Sequence, residues 1–183
     1  RNDDGIVTTT EITIIKDKNA EIRKITFENT TNKDITLELT SYGEVIMAPN
    51  SDDIAHRAFN GITITSSLDA DKKTLIFTRK PHSHAAVDQH YFLANTLLLE
   101  EENDLKFESA TSRLQFIGRN NTTQNTSVIT QRKNLSCTLG ATWDPIMSMR
   151  RNIVVKAGTR TSAYLIVCFG KSVEQLMNII DTY

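Results

Sequence analysis

The sequence has little of what usually betrays a function. It holds one tryptophan and 7% aromatic residues, too few for an aromatic platform to be assumed rather than argued. Lysine and arginine (21) are balanced by aspartate and glutamate (22) and lie scattered. The electrostatic footprint that nucleic acid demands is therefore absent. No apolar run approaches the roughly 20 residues that span a bilayer, and no charged-then-apolar leader opens the chain, so direct membrane contact is not expected. Cys137 and Cys168 fit no CxxC spacing, and Cys168 lies in an apolar strand pattern. A buried free thiol is the expectation there, ahead of a disulfide, and it leans towards a reducing compartment. There is no glycine-rich phosphate loop after a strand, no GxSxG and no HExxH. No repeat period appears, which excludes propellers and solenoids.

What is present is alternation. From Glu21 to Pro49, Ile25, Phe27, Ile35, Leu37, Leu39, Val45 and Met47 share one parity, and Lys24, Thr26, Glu28, Thr36, Glu38 and Thr40 the other. Period two marks strands with one buried and one wet face. The break Asn29-Thr30-Thr31-Asn32-Lys33-Asp34 is rich in turn formers, so the stretch reads as a long antiparallel hairpin. At 183 residues the chain can bury a real core without disulfide or metal. It starts at Arg1 with strand pattern close behind, which reads as a piece of a longer protein.

In chain order, Thr8–Ile15 reads as a strand and Pro49–Gly61 as a loop, too polar and turn-prone for a strand. Ile62–Thr65, Leu75–Thr78 and Tyr91–Leu99 read as strands, with a loop over Arg79–Asp88 and a solvated charged turn at Glu100–Asp104. Ser109 to Gly118 predicts one or two turns of helix, with Ser109 as N-cap and Gly118 as the left-handed stop. Val128-Ile129 and Leu135–Leu139 read as short strands. Arg151–Val155 and Tyr164–Phe169 read as a last antiparallel pair around Ala157-Gly158-Thr159. Ser172 and Gln175 form a capping box for a helix whose stripe is Val173, Leu176, Met177 and Ile180. Strand after strand with short turns argues a β-sandwich.

Candidate chemistry is sparse. His82, His84 and His90 could suggest zinc, but Pro81 puts them in a loop with no fixed-spacing partner, and exposed loop histidines are the plainer reading. Trp143, Phe59, Tyr42 and Tyr91 could stack on a sugar, and Trp143 and Phe59 stand out because both sit in polar, turn-like stretches. Asn29, Asn121, Asn125 and Asn134 begin formal N-glycosylation patterns, read as loop and strand chemistry.

A family resemblance runs through the chain. Gly5-Ile6-Val7-Thr8, Glu21-Ile22-Arg23, Asn29 and Thr40-Ser41-Tyr42-Gly43-Glu44-Val45 are followed by Ala48-Pro49, Asp53, His56, Phe59 and Arg79-Lys80-Pro81. Arg113, Phe116-Ile117-Gly118-Arg119, Gly140-Ala141, Asp144-Pro145-Ile146, Ser148, Arg150 and Gly158 complete the order. In this order they resemble the N-terminal β-sandwich of the cyclic β-1,2-glucan synthase and cellobiose phosphorylase family of inverting glycoside phosphorylases. SYGEV and DPI-x-S-x-R look more like the β-1,2-glucan branch; His82 and Arg57 depart from the expected Arg and Pro. The resemblance implies a mainly β fold, part of a galactose-mutarotase-like supersandwich, with a short helix near 109–118. It also implies a sandwich over 1–171 whose first strands are missing, and the start of a helical linker over 172–183. Beyond the linker would lie an (α/α)₆ barrel carrying the catalytic acid and the phosphate site.

On that reading the chain has no catalytic residue, cofactor or metal of its own, and inorganic phosphate is a co-substrate of the parent enzyme. Its work would be to brace the barrel, shape the mouth of a β-glucan oligosaccharide site and contribute a homodimer contact. His56, Phe59, Arg79, Trp143, Asp144 and Arg150 are the sugar- or barrel-facing candidates, with loop closure inside the domain as the competing role for each. The resemblance and the lack of a leader imply the cytoplasm. A free-standing carbohydrate-binding module and a purely structural sandwich remain the alternatives.

Overall fold

The computed structural model describes residues 1–80, 90–101 and 106–183. In chain order these form β1 (Asn2–Asp3), β2 (Ile6–Ile14), β3 (Ala20–Asn29), β4 (Ile35–Thr40), β5 (Gly43–Glu44), α1 (Asn50–Ile62), β6 (Ile64–Asp69) and β7 (Thr74–Arg79). They continue with β8 (Phe92–Leu99), β9 (Phe107–Ser112), α2 (Arg113–Ile117), α3 (Ser127–Thr130), β10 (Gly140–Ala141), β11 (Pro145–Val155), β12 (Arg160–Gly170) and α4 (Val173–Ile180). Eight strands make one sheet, ordered β1-β2-β3-β12-β8-β7-β6-β10, and all its pairs are antiparallel. A second, four-stranded sheet is built on β11, which pairs β4 and β5 along one edge and β9 along the other. The mainly β, antiparallel sandwich expected from the sequence is what forms.

The alternation places the buried faces where they are found, but two strand pairings differ from those expected. Phe27 is buried between the sheets, with Ile25, Ile35, Leu37 and Leu39 packed against the same core. But β3 lies in the large sheet and β4 in the small one, so the two strands face each other across the core and form no hairpin. Period two states which side chains are buried and is silent on which strand lies alongside. The corner is made by Asn29, whose side-chain amide donates to Lys33 O (2.7 Å) and Val155 O (2.9 Å). The expected final pair fails for the same reason: Arg151–Val155 belongs to the small sheet and Tyr164–Phe169 to the large one. The turn at 156–159 crosses between layers.

Four local readings also change. Pro49–Gly61 is helix α1 rather than loop, interrupted at His56 (φ −143°, ψ 46°). The short helix α2 is capped by Ser112, whose hydroxyl accepts from Gln115 N; Ser109, three residues earlier, is buried in β9. Gly118 does end it, at φ 85°. Val128-Ile129 lies in α3, because Thr126 and Ser127 carbonyls take the amides of Thr130 and Gln131 in a helical turn. Leu135–Leu139 is irregular, with Cys137 at φ 47°. The tail of the Arg79–Asp88 stretch and of the Glu100–Asp104 run lies outside the described residues.

The last helix follows its sequence closely. Ser172 Oγ accepts from Gln175 N (3.1 Å), and Gln175 Oε1 reaches back to Lys171 N (3.1 Å). Leu176, Ile179 and Ile180 then pack on Ala94 and Cys168 on the outer side of the large sheet. No helix among the described residues is long and apolar enough to cross a membrane.

Candidate functional site

Five of the six residues singled out in the sequence gather where α1 leans on β5, β7 and the β10–β11 connection. Pro49 starts the helix, and Asp52 and Asp53 occupy its first turn, where carboxylates suit the free amides. Asn60 is buried and donates to Asp52 O (2.8 Å), so it braces the helix across the His56 interruption. Arg79, at the end of β7, donates to Asn60 Oδ1 (3.1 Å) and Met47 O (2.7 Å) and so pins α1 to the sheet. Gly61 allows the approach: a Cβ there would sit 2.3 Å from the carbonyl oxygen of Trp143.

Most of α1 lies on the surface, with Ser51, Asp52, His56 and Arg57 exposed as well as its apolar residues. Its buried residues are Asn60 and Gly61, while Ile54 is 77% exposed, Phe59 56% and Ile62 38%. Trp143, whose backbone touches Gly61, is 76% exposed. His56 is exposed on the same helix.

Beneath this apolar surface lies a charged knot. Glu44 accepts from Tyr42 OH (3.0 Å), Arg113 Nε (3.1 Å) and Arg57 Nη2 (2.5 Å). Asp144 stands 3.6 Å from Arg113 and 3.9 Å from Arg57, so two guanidiniums are shared between two carboxylates. Burial opposes ionisation of Glu44, but the hydrogen bonds from Arg57, Tyr42 and Arg113 outweigh it and hold the carboxyl below its usual range. Burial, then the Glu44 carboxylate, pushes the Tyr42 phenol up. Glu44 is thus held as an ionised anchor rather than a proton donor, and the knot ties β5, α1, α2 and the start of β11 together. Tyr42 also packs at 5.1 Å between ring centroids on Phe116.

Arg150 is elsewhere. It is buried on β11, donating to Thr40 Oγ1 (2.9 Å) and Lys133 O (2.8 Å), with Glu38 at 3.2 Å and Glu108 at 3.5 Å. A polar cavity of about 50 Å³ adjoins it, lined also by Arg132, Asn134 and Asn152. Tyr91 stacks on Phe169 with centroids 5.2 Å apart. His82 and His84 lie outside the described residues, and among the described residues no three His, Cys, Asp or Glu are grouped to hold a metal. Asn29, a formal glycosylation site, is buried with its amide engaged. No sequence signal groups Glu44, Arg57 and Arg113. They stand 13 and 69 residues apart, and no spacing rule joins them.

Two comparisons with known proteins bear on this architecture. The chain is 25% identical over 173 residues to the cyclic beta-(1,2)-glucan synthase NdvB of Rhizobium meliloti (strain 1021), covering 94% of this chain and 6% of that protein's length. A family model described as glycosyl hydrolase 94, supersandwich domain, matches residues 1–183. With its two antiparallel sheets and a match over its whole length, this chain belongs to the glycosyl hydrolase 94 supersandwich family.

Proposed function

We propose that this chain is the non-catalytic sandwich of a larger β-1,2-glucan phosphorylase or cyclic β-1,2-glucan synthase. Its α1–Trp143 end docks on the (α/α)₆ catalytic domain of the same parent. The observation that carries the reading is the apolar exposure of α1: Ile54, Phe59 and Ile62 are exposed on a helix that Arg57 ties to Glu44. Exposed apolar groups gathered on one element gain free energy on burial, about 25 cal/mol per Å² of surface covered. Around that contact Trp143, Asp144 and His56 stand at the rim, where they can shape the mouth of a β-glucan oligosaccharide site. Phosphate acts as co-substrate in the parent's barrel, in the cytoplasm. Residues 172–183 begin the linker that leads there, and a homodimer contact is a further role for the sandwich.

One observation favours a second reading. An exposed tryptophan beside hydrogen-bonding side chains is also the make-up of a sugar-stacking site in a free-standing carbohydrate-binding module. Hydroxyl-radical footprinting of Trp143 and Phe59 in the intact parent, with and without β-1,2-glucan oligomers, separates the two. Protection without glucan is the expected result. Protection that appears only with glucan supports the module, and full reactivity in both states overturns docking.

A further inference from the structure

The outer face of the small sheet holds a polar site of its own. Met149, Ile153 and Val155 fill the sandwich core, so the even-numbered residues of β11 point the other way, and Arg150 stands among them. It is nevertheless only 5% exposed, because the 131–135 segment is tied down over it. Lys133 O accepts from Arg150 Nη1 (2.8 Å), and Leu135 N donates to Glu108 Oε2 (3.0 Å). Between segment and sheet the cavity of about 50 Å³ remains, with room for a few water-sized atoms and too little for a sugar ring.

The groups around the cavity are unequally used. The Glu108 carboxylate takes Lys106, Leu135 N and Arg150, and Asn134 Oδ1 accepts from Lys106 Nζ (2.7 Å). The donors are what is left over. Arg150 Nη2 is buried without a partner, a costly state for a guanidinium nitrogen. The Arg132 side chain and Asn134 Nδ2 donate to nothing among the described residues. Arg132 follows the α3 cap at φ 49°, where glycine is usual, so a strained backbone carries its guanidinium to the cavity wall. Lys106, Arg132 and Arg150 against Glu38 and Glu108 leave the lining with one net positive charge. Spare donors on a positive wall suit an occupant that only accepts.

We propose that this cavity is a binding site for a phosphate-sized oxyanion, held by Arg150 Nη2, the Arg132 guanidinium and Asn134 Nδ2. Guanidinium forks match the oxygens of such an anion, and charge-assisted hydrogen bonds are the strong ones. Glu38 is the anion's competitor. Its side chain is 52% exposed, stands 3.2 Å from Arg150 Nε and swings into water as the anion enters. Glu108 stays in place, because its side chain is 7% exposed and engaged by Lys106, Leu135 N and Arg150. A neutral hydroxyl would leave the net charge unanswered, and a cation would meet the wrong sign. The inference does not rest on docking at the other site: none of these residues lies on α1 or in the β10–β11 connection.

The test uses the intact parent, dialysed free of phosphate and held at neutral pH. Hydrogen exchange over residues 131–136 is followed while inorganic phosphate replaces chloride at fixed ionic strength. Saturable slowing is the expected result. Arg132→Gln should raise the midpoint concentration at least about tenfold, the loss of one charge-assisted bond. Glu38→Gln should lower it several-fold by removing the competing carboxylate. Both side chains are exposed, so neither variant should move the melting temperature. An absence of slowing overturns the proposal. Slowing that added chloride reproduces also overturns it, because screening then explains the effect. A midpoint that either variant leaves unmoved overturns it too, since the phosphate is then bound elsewhere. Footprinting of Phe59 and Trp143 reports the catalytic-domain contact separately.

Discussion

Asn29→Ala should loosen the joint at which both crossings between the sheets are tied. The Asn29 amide donates to Lys33 O and Val155 O, and its oxygen accepts from Thr31 N (2.9 Å) and Thr31 Oγ1 (2.7 Å). Its backbone N–H donates to Thr159 O (2.9 Å), at the second crossing. The residue is 1% exposed and Val155 is fully buried, so water cannot replace the bond to Val155 O. Leaving that carbonyl unpaired costs about 1–3 kcal/mol, and the two Thr31 bonds add about 0.5–1.5 kcal/mol in net terms. Lys33 is exposed, and its carbonyl regains a partner from solvent. The total is about 1.5–4.5 kcal/mol, which in a domain of this size lowers Tm by roughly 3–18 °C. Urea unfolding should show a lower midpoint at unchanged m. Asn29→Asp keeps the shape but aims a carboxylate at two carbonyls. Its folded-state pKa is therefore raised, and its cost should grow as pH climbs past the ordinary aspartate value and shrink in acid. A loss below about 0.5 kcal/mol for Asn29→Ala would refute the idea that this amide holds the corner.

Three more outcomes follow from the geometry. Gly61→Ala should destabilise the chain by about 1–3 kcal/mol in thermal melts, because the new methyl meets a backbone carbonyl that cannot swing away. Trp143→Ala at the same contact should stay within about 0.5 kcal/mol, since its side chain is exposed. Cys168, buried and pushed up to about 11 by desolvation, should resist a thiol reagent at pH 8 that modifies the exposed Cys137, and should react only after unfolding. Burial opposes ionisation of Glu108, yet hydrogen bonds from Lys106 and Leu135 N and the nearby Lys106 and Arg150 charges hold its pKa below the ordinary glutamate value. Its contribution is therefore present above that value and lost as pH falls through the lower folded one. Acid unfolding of Glu108→Gln should show a shallower pH dependence than the parent chain, and an identical slope would contradict the assignment.

The sequence announces burial and leaves adjacency open, and most of the misread elements follow from that. Strands from Thr8 to Phe169 are legible because β-branched and apolar residues alternate over a half-buried face. Helix α4 is legible because its stripe faces the sheet and its cap obeys the local rule. The six residues from Asn29 to Asp34 suit a hairpin turn and an inter-sheet corner equally well. What decides is Val155, 126 residues away, which accepts from the Asn29 amide. Ser109 and Ser112 are both good caps on paper, and only the pairing of β9 with β11 shows that the first is still in a strand.

Helix α1 escaped for a more informative reason. Its few apolar residues are spread among Asn, Ser, Asp, His and Arg behind Pro49, and the helix is interrupted at His56, so the stretch has the composition of a loop. A helix that buries only Asn60 and Gly61 owes little of its place to this chain's own hydrophobic core. It is held by Arg79 on Asn60, by the Glu44–Arg57 pair and by the Gly61 contact. Such bonds are directional, and they fix where Ile54 and Ile62 stand without covering them. The hydrophobic gain left unrealised on this face is then available to whatever docks there. On the proposed docking, the exposed apolar side chains of a helix held by polar contacts are the ones the catalytic domain covers.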